Sequence, residues 1–159
     1  EDSQVIVAVA VETTGNDAGQ GPAGVAQVER RTGRRPEAYL MDGNYAKRDD
    51  VTVLERQGVT VYAPTRSPRT ETSGRAKADP RPNDTPEVAG WRARMETEEA
   101  KEIYKGRAAT AECVNAQARR YGLTQMLVRG THKVLSVLLL VAITHNLLRW
   151  IALSAGAGL

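Results

Sequence analysis

Residues 37–63, EAYLMDGNYAKRDDVTVLERQGVTVYA, decide the fold class. Two short apolar runs, Glu37–Met41 and Val59–Ala63, flank a segment with helical spacing of its apolar residues, Lys47–Gln57, which ends before Gly58. β-Branched and aromatic residues favour strands, and a strand–helix–strand order is typical of two parallel strands joined by a right-handed crossover. The sequence therefore predicts a β-α-β unit in this stretch.

The residues before this unit continue the same pattern. Gln4–Val11, QVIVAVAV, is apolar at nearly every position, which predicts a strand covered on both faces, as in a parallel sheet. Asn16 or Asp17 is a candidate N-cap for a helix that runs to about Thr32 and ends at Gly33. Strand, helix, strand, helix, strand is the order of an α/β fold with a mostly parallel sheet flanked by helices.

The second half of the chain differs in composition. Residues 65–90 are rich in Pro, Gly, Arg and polar residues without a hydrophobic period, which predicts a long polar loop exposed to solvent. Helical structure is expected to start near Thr85, to continue as a charged helix from Trp91 to Arg120, and to resume as an apolar C-terminal helix, Thr131–Ser154. We expect a single domain, residues 1–159, with three parts: a strand and helix core (1–64), the loop insertion (65–90) and the C-terminal helices (91–155).

Composition excludes several kinds of site. The chain has one cysteine and two histidines, so an internal disulfide and a Cys/His zinc cage are excluded. The net charge of +3 permits an anionic partner without identifying one. No signal peptide pattern is present, and we expect a cytoplasmic protein.

One stretch, Val134–Leu153, has nearly the length of a membrane span. Polar residues interrupt it, among them His145, Asn146 and Arg149. We therefore predict a largely buried core helix and no membrane partner.

Asp42 follows the predicted strand Glu37–Met41 directly and precedes a Gly-Asn turn. One interpretation combines it with Gly19–Gly24, GQGPAG, which matches G-x-G-x-x-G and ends 18 residues before Asp42. In a dinucleotide fingerprint the glycines admit the pyrophosphate at a helix N-terminus, and the acid binds the ribose. Gly19 lies eight residues beyond Val11, although the fingerprint needs its first glycine at the strand end. A small Rossmann-like nucleotide-binding or interaction module is therefore the alternative hypothesis.

A second group of polar residues lies on the predicted helix that ends at Arg120. On a helix, Arg119 falls two turns beyond Glu112 on the same face, with Asn115 beside them. This face carries a carboxylate, an amide and a cation, and otherwise few bulky side chains. A solvated charge pair on a helix surface would explain the same pattern without chemistry.

Residues 90–120, GWRARMETEEAKEIYKGRAATAECVNAQARR, followed by GLTQMLVRGTHKVLSVLLLVAITHNLLRW, resemble the C-terminal half of the DDE domain of bacterial insertion-sequence transposases. EDSQVIVAVAVETTGNDAGQ and RTGRRPEAYLMDGNYAKRDDVTVLERQGVTVYAP resemble the middle of the same domain. The motifs that carry the resemblance are D-G-x-Y after a strand, at Asp42, and Y-x-x-R-x-x-x-x-E on the late helix, from Tyr104 to Glu112.

The resemblance implies a ribonuclease-H-like α/β fold with an incomplete sheet and the active site at the carboxyl ends of the strands. It implies that Asp42 is the second catalytic aspartate and Glu112 the catalytic glutamate, and that both are metal ligands for Mg²⁺ or Mn²⁺ in a two-metal site of the intact protein. It also implies DNA-binding or supporting roles for Tyr104, Arg107, Asn115 and Arg119; the family commonly has Lys at the last of these positions.

The implied function is DNA transposition by metal-dependent strand cleavage and strand transfer, with transposon ends and target DNA as partners and a homo-oligomer as a further expectation. Cations of the long loop are candidates for phosphate contacts, with solvated loop charges as the alternative: Arg66, Arg69, Arg75, Lys77 and Arg81. In the family, the first catalytic aspartate lies on a strand upstream of the segment that resembles this chain. We therefore expect a fragment that is incomplete or inactive by itself.

Overall fold

The computed structural model describes residues 3–13, 19–65, 79–120 and 122–156, apart from the side chains of residues 109, 112 and 113. The chain divides into two compact units: a helical unit, Glu1–Gly15 with Ala108–Leu159, and a sheet unit, Asn16–Arg107. The elements are α1 (Gly21–Thr32), β1 (Ala38–Leu40), α2 (Arg48–Arg56), β2 (Thr60–Tyr62), α3 (Pro86–Met95), α4 (Glu98–Arg120) and α5 (Thr131–Gly156).

The predicted β-α-β unit is confirmed. Strands β1 and β2 pair in parallel, with Tyr39 opposite Val61, and α2 connects them. The N–H of Thr60 donates to the carbonyl of Glu37 at 2.8 Å, and the N–H of Met41 donates to the carbonyl of Tyr62 at 2.9 Å. Within the described residues the sheet has only these two strands.

The core of the sheet unit lies between α2, β2 and α3. Val51 and Leu54 on α2 are fully buried, as is Val61 on β2, and Val88 and Trp91 cover them from α3. Removing these side chains from water supplies the main driving force for this packing. The unit therefore has a continuous apolar core although its sheet is small.

Helix α3 begins inside the region predicted to be loop. The Thr85 hydroxyl accepts the N–H of Val88 at 3.3 Å, and Pro86 occupies the first turn, so the helix has a regular N-terminal cap. The expected start of helical structure near Thr85 is confirmed, and the helix overlaps the last residues of the stretch assigned to the loop, 65–90, where Val88 is buried in the core. Residues 66–78 lie outside the described residues.

Helix α1 ends where the sequence predicts. Gly33 has φ = 71°, and its N–H donates to the carbonyl of Glu29 at 2.8 Å, which is a left-handed C-cap suited to glycine. The helix starts later than predicted, at Gly21 with Gln20 as its N-cap. The expected caps, residues 16 and 17, lie outside the described residues.

The prediction of a strand at Gln4–Val11 is wrong, because this segment contains no β-strand in the part of the chain that the structure describes. Side chains of α5 bind its backbone instead. The N–H of Ile6 donates to Asn146 Oδ1 at 2.7 Å, and Asn146 Nδ2 donates to the carbonyl of Ile6 at 2.8 Å. His145 Nε2 donates to the carbonyl of Gln4 at 2.7 Å, and Arg149 Nε donates to that of Ser3 at 2.9 Å. Local β propensity does not form a strand without a neighbouring strand.

The double hydrogen bond to Ile6 makes Asn146 the main anchor of this segment. Replacing Asn146 by leucine should leave both Ile6 backbone groups without partners at a partly buried position, at a cost of about 1–3 kcal/mol. We expect faster amide exchange at Ile6 and its neighbours, measured by hydrogen exchange. The substitution Ser136→Leu, at an exposed position of the same helix, should not change that rate; equal rates in both variants would contradict the anchoring role.

Helix α5 is not the buried core helix that the sequence predicts. Only Ala142 and His145 are buried on it, and several large apolar side chains along one side are more than half exposed, namely Leu140, Ile143, Leu147, Trp150 and Ile151. Thr131–Gly156 is long and apolar enough to cross a membrane, with a mean hydropathy of 1.8 over its most apolar window. Its polar side chains at positions 145, 146 and 149 bind the backbone of the N-terminal segment.

Candidate functional site

Asp42 lies two residues after Leu40, the last residue of β1. Its Oδ1 atom accepts the N–H of Asn44 at 3.0 Å, and its backbone carbonyl accepts the N–H of Tyr45 at 2.9 Å, which forms a tight turn. Met41, the preceding residue, is buried. The strand and the turn together fix one carboxylate oxygen and leave the other, Oδ2, available to neighbours.

The turn leaves little room for a side chain at Gly43. A Cβ atom at this position would lie 3.3 Å from the carbonyl oxygen of Pro64 and 3.5 Å from its Cβ atom. Pro64 follows β2, so the turns after the two parallel strands lie against each other. Gly43 is not one of the glycines with positive φ, so a left-handed backbone does not explain why glycine occurs here.

Arg107 on α4 is the cation closest to Asp42 in the described part of the sheet unit. Its Nη2 atom lies 3.6 Å from Asp42 Oδ2, and its guanidinium lies over the ring of Tyr104, 5.9 Å from the centroid. The Asp42 side chain is 44% exposed and that of Arg107 30%. At this exposure the ion pair contributes little to stability, so both groups remain accessible to an ionic ligand.

Tyr104 connects this site to the core, because its partly buried ring packs against the apolar cluster of the sheet unit. Burial raises the pKa of its hydroxyl, Arg107 acts in the opposite direction, and Asp42 raises it further. The hydroxyl therefore stays protonated at neutral pH and can donate a hydrogen bond. Asp42, Tyr104 and Arg107 thus form one cluster, which combines a strand-tip carboxylate, a phenol and a guanidinium.

The other residues predicted for the site lie on the later part of α4, in the helical unit. Asn115 and Arg119 are four residues apart on α4, which places them on neighbouring turns of one helical face. Asn115 and Arg119 are exposed, and the side chain of Glu112 lies outside the described residues. Of the loop cations, only Arg81 is described; its N–H donates to Asp84 Oδ2 at 3.0 Å, so its backbone has a structural role.

The glycine-rich segment Gly19–Gly24 does not present a free phosphate site. The carboxylate of Asp50 faces the start of α1: backbone N–H groups of Gly19 and Gly21 point to it, and a Cβ at Gly21 would lie 3.6 Å from Asp50 Oδ2 and 3.4 Å from Leu54. An acid at this position occupies the helix N-terminus and repels a pyrophosphate. Gly21 therefore serves close packing of α1 on α2, which argues against the Rossmann-like alternative.

Asp50 was not identified from the sequence, although it is the least exposed carboxylate of α2. The residue is 8% exposed, and its Oδ2 atom has no hydrogen-bond partner within the described residues. Burial raises its pKa, while Lys47 and the amides of the two glycines act in the opposite direction. Asp50 follows another acid, Asp49, in a segment whose charged residues suggest an exposed helix. The sequence therefore did not indicate that Asp50 is buried.

A cavity of about 340 Å³ in the helical unit is unsuited to catalysis. It lies between α4 and α5 and is lined mainly by apolar side chains such as Leu123, Val137 and Val141. Its polar residues include Gln117 and His145, whose Oε1 and Nδ1 atoms lie 2.8 Å apart. No group of three potential metal-ligating side chains occurs among the residues that the structure describes.

Comparison with known protein families identifies the family of this chain. The family described as the transposase DDE domain matches residues 64–151, more than half of the 159 residues. The chain belongs to this family, and membership indicates DNA transposition as the process and DNA as the general partner. The match includes Tyr104, Arg107 and Glu112, whereas Asp42 lies before it. No curated protein and no solved structure matches the chain.

Proposed function

We propose that this chain carries part of the catalytic centre of an insertion-sequence transposase that cleaves and joins DNA strands with the help of divalent metal ions. The observation that supports this proposal best is the position of Asp42, a rigidly held carboxylate at the tip of a parallel strand beside Tyr104 and Arg107. Open α/β sheets bind ligands at the carboxyl ends of their strands. In the proposal the fold of the intact domain is ribonuclease-H-like, and the protein acts in the cytoplasm.

The donor chemistry of Asp42 suits a hard cation. Mg²⁺ and Mn²⁺ prefer carboxylate oxygens, and the Asp42 side chain is partly exposed, with Arg107 Nη2 at 3.6 Å from its Oδ2 atom. Glu112 is the second ligand in the proposal, on the basis of the family motif. Two such ions supply activation of a water or 3′-hydroxyl and stabilisation of the leaving oxygen at a phosphodiester. With two carboxylates, we expect weak metal binding and slow cleavage by these 159 residues.

Arg107 and Tyr104 have the chemistry to contact the DNA backbone. A guanidinium presents a planar fork that matches a phosphate, and Arg107 is already oriented by the ring of Tyr104. When Asp42 binds a cation, Arg107 no longer has to balance its charge and is available to a phosphate. In the proposal Asn115 and Arg119 also bind DNA or support the site, on the basis of the family resemblance.

Metal binding by the carboxylates is tested with Mn²⁺ and the intact chain. Asp42→Asn keeps the acceptor for the N–H of Asn44 and removes the charge, so the turn should survive. We expect at least about a tenfold loss of Mn²⁺ affinity, measured by electron paramagnetic resonance, and a similar loss for Glu112→Gln. Asp49→Asn, an exposed acid of α2, is the matched control. Equal affinities for the Asp42 and Asp49 variants would refute the assignment of Asp42.

DNA binding is tested separately by fluorescence anisotropy with duplex DNA over a range of salt concentrations. Arg107→Gln should weaken binding and lower the slope of log affinity against log salt by about 1, as expected for one lost phosphate contact. Arg31→Gln, an exposed position on α1, should leave the slope unchanged. If both variants behave alike, Arg107 does not contact phosphate.

A further inference from the structure

The start of α1 lies against both flanks of the turn that carries Asp42. Before the turn, Met41 Cε lies 3.6 Å from the position that a Cβ would take at Gly21. After the turn, Lys47 Nζ lies 3.3 Å from the corresponding position at Gly19. The residues on either side of the turn therefore both contact the start of α1.

Backbone hydrogen bonds connect Lys47 to Asp42. The N–H of Lys47 donates to the carbonyl of Tyr45 at 2.9 Å, and the N–H of Tyr45 donates to the carbonyl of Asp42 at 2.9 Å. The N–H of Val51 donates to the carbonyl of Lys47 at 3.0 Å, which joins the turn to the first turn of α2. A change in the position of Lys47 or of the first turn of α2 therefore changes the position of the Asp42 backbone.

Asp50 lies where the N-termini of α1 and α2 meet. It belongs to the first turn of α2, and the N–H groups of Gly19 and Gly21 point to its carboxylate. Helix α1 has no side-chain cap at Gln20 and no acid in its own first turn. The positive end of a helix dipole favours a negative charge, so Asp50 supplies to α1 the charge that the first turn of α1 does not.

Lys47 provides a positive charge beside the same carboxylate. Burial raises the pKa of Asp50, whereas the ammonium of Lys47 and the two glycine amides lower it. Asp50 is only 8% exposed, and a buried charge persists only with such partners. Removing the carboxylate would leave the amides at the start of α1 and the Lys47 ammonium without their common anionic partner.

We propose that Asp50 is a positioning residue for Asp42: it holds the start of α1 and the Lys47 side chain together, and thereby fixes the turn from which the Asp42 carboxylate projects. The glycine-rich segment has a role in this arrangement. Gly19, with φ = 101°, adopts a left-handed backbone, and Gly21 has no side chain that would separate α1 from Asp50. The consequence for metal binding rests on the proposed function of Asp42, whereas the consequence for the turn does not.

Amide exchange of the intact chain, measured by nuclear magnetic resonance, tests the effect on the turn. Asp50→Leu removes both acceptor oxygens, whereas Asp50→Asn keeps one of them and the shape of the side chain. We expect the N–H groups of Asn44, Tyr45 and Lys47 to exchange about fivefold faster in Asp50→Leu, as for the loss of one helix cap. The increase should be smaller in Asp50→Asn.

Two references separate positioning of the turn from general stabilisation. The N–H groups of Thr60 and Val61 on β2 donate to acceptors outside the turn, so their exchange should be unchanged. Asp49→Asn removes an exposed acid from the same turn of α2 and should leave all these rates unchanged. Equal acceleration on β2 and in the turn would make Asp50 a general stabiliser and would overturn the proposal, and so would unchanged rates in the turn. If circular dichroism shows that Asp50→Leu does not fold, Asp50→Asn provides the same comparison.

The affinity for Mn²⁺, measured by electron paramagnetic resonance, is the second readout. We expect Asp50→Asn to weaken binding about threefold, less than the loss for a partner that touches a metal ligand, because Asp50 acts through the turn. An unchanged affinity in Asp50→Asn together with a loss in Asp42→Asn would overturn the positioning of the carboxylate by Asp50. If Asp42→Asn also leaves the affinity unchanged, the proposed metal site is wrong, and the exchange rates alone decide whether Asp50 positions the turn.

Discussion

Replacing Asp84 by alanine should destabilise the sheet unit by about 3–5 kcal/mol, the usual cost of leaving a buried charge without its partner. The Asp84 side chain is fully buried and that of Arg92 is 4% exposed, with 2.7 Å between Asp84 Oδ2 and Arg92 Nε. The same oxygen accepts the N–H of Arg81 at 3.0 Å. The substitution leaves the Arg92 guanidinium buried beside Trp91 without a carboxylate.

Tryptophan fluorescence measures this loss in the sheet unit alone. The chain has two tryptophans, and Trp150→Phe leaves Trp91, which is buried on α3, as the single reporter. Urea unfolding in that background gives the free energy of unfolding. Glu102→Ala removes an acid from an exposed pair with Lys105 and should cost less than about 1 kcal/mol. A similar small loss for Asp84→Ala would show that Arg92 is hydrated or finds another acceptor.

The same carboxylate makes stability depend on pH. Burial raises the pKa of Asp84, but the hydrogen bonds from Arg92 and Arg81 and the nearby charge lower it more, so its pKa lies below the ordinary value. The hydrogen bond from Arg56 lowers the pKa of Glu87 to about 2. Groups with lowered folded pKa values stabilise the fold above their unfolded pKa values, about 4, and lose that contribution as pH falls through the folded values.

We therefore expect the free energy of unfolding of the sheet unit to fall between about pH 4 and pH 2. Asp84→Ala combined with Glu87→Gln should flatten this dependence, because neither group then binds a proton on unfolding. Urea titrations of Trp91 fluorescence at several pH values measure both slopes. An unchanged slope in the double variant would mean that other carboxylates carry the acid sensitivity.

Replacing Arg94 by alanine should have the second largest effect, a loss of about 3 kcal/mol. The Glu55 side chain, 15% exposed, would keep its charge without the bidentate partner, and the carbonyl of Val61 would lose its donor. Glu55 and Arg94, which bond the N–H and the carbonyl of Val61 and together form the edge clamp, would no longer both cover this edge of β2. We expect a lower melting temperature and concentration-dependent aggregation, followed by circular dichroism and light scattering.

An exposed bidentate pair provides the control for the edge clamp. Arg35 contacts Glu29 through two nitrogens at 3.1 Å, and both side chains are about 40% exposed. Glu29→Ala removes this pair and keeps the hydrogen bond from Arg35 Nη1 to the carbonyl of Gln57, so it should cost less than about 1 kcal/mol and cause no aggregation. If Arg94→Ala were as mild as Glu29→Ala, the clamp would contribute neither to stability nor to protection of the β2 edge.

Local sequence was sufficient for the elements whose partners are close in the chain. The β-α-β unit at residues 37–63 is confirmed because its two strands find each other across a short helix. Thr85 and Gly33 act through hydrogen bonds within four residues, so their capping roles are visible in the sequence. The position of Asp42 at the end of β1 follows from the same local pattern.

The conformation of Gln4–Val11 and the burial of α5 depend on contacts between residues that are distant in sequence. An apolar β-branched run becomes a strand only where a neighbour offers its backbone, and here Asn146, 140 residues later, binds Ile6 instead. The apolar composition of α5 gave no information on how much of it is covered. Ala142 and His145 are buried, but much of the apolar side remains exposed.

The sequence by itself determined the β-α-β unit, its caps and the carboxylate at the strand tip, because each depends on residues that are close along the chain. Only the tertiary structure decided which polar groups meet. It placed Arg107 beside Asp42, Asp50 at the start of α1, and the edge clamp on β2. These contacts join distant elements, and their energies depend on burial, which local spacing cannot specify.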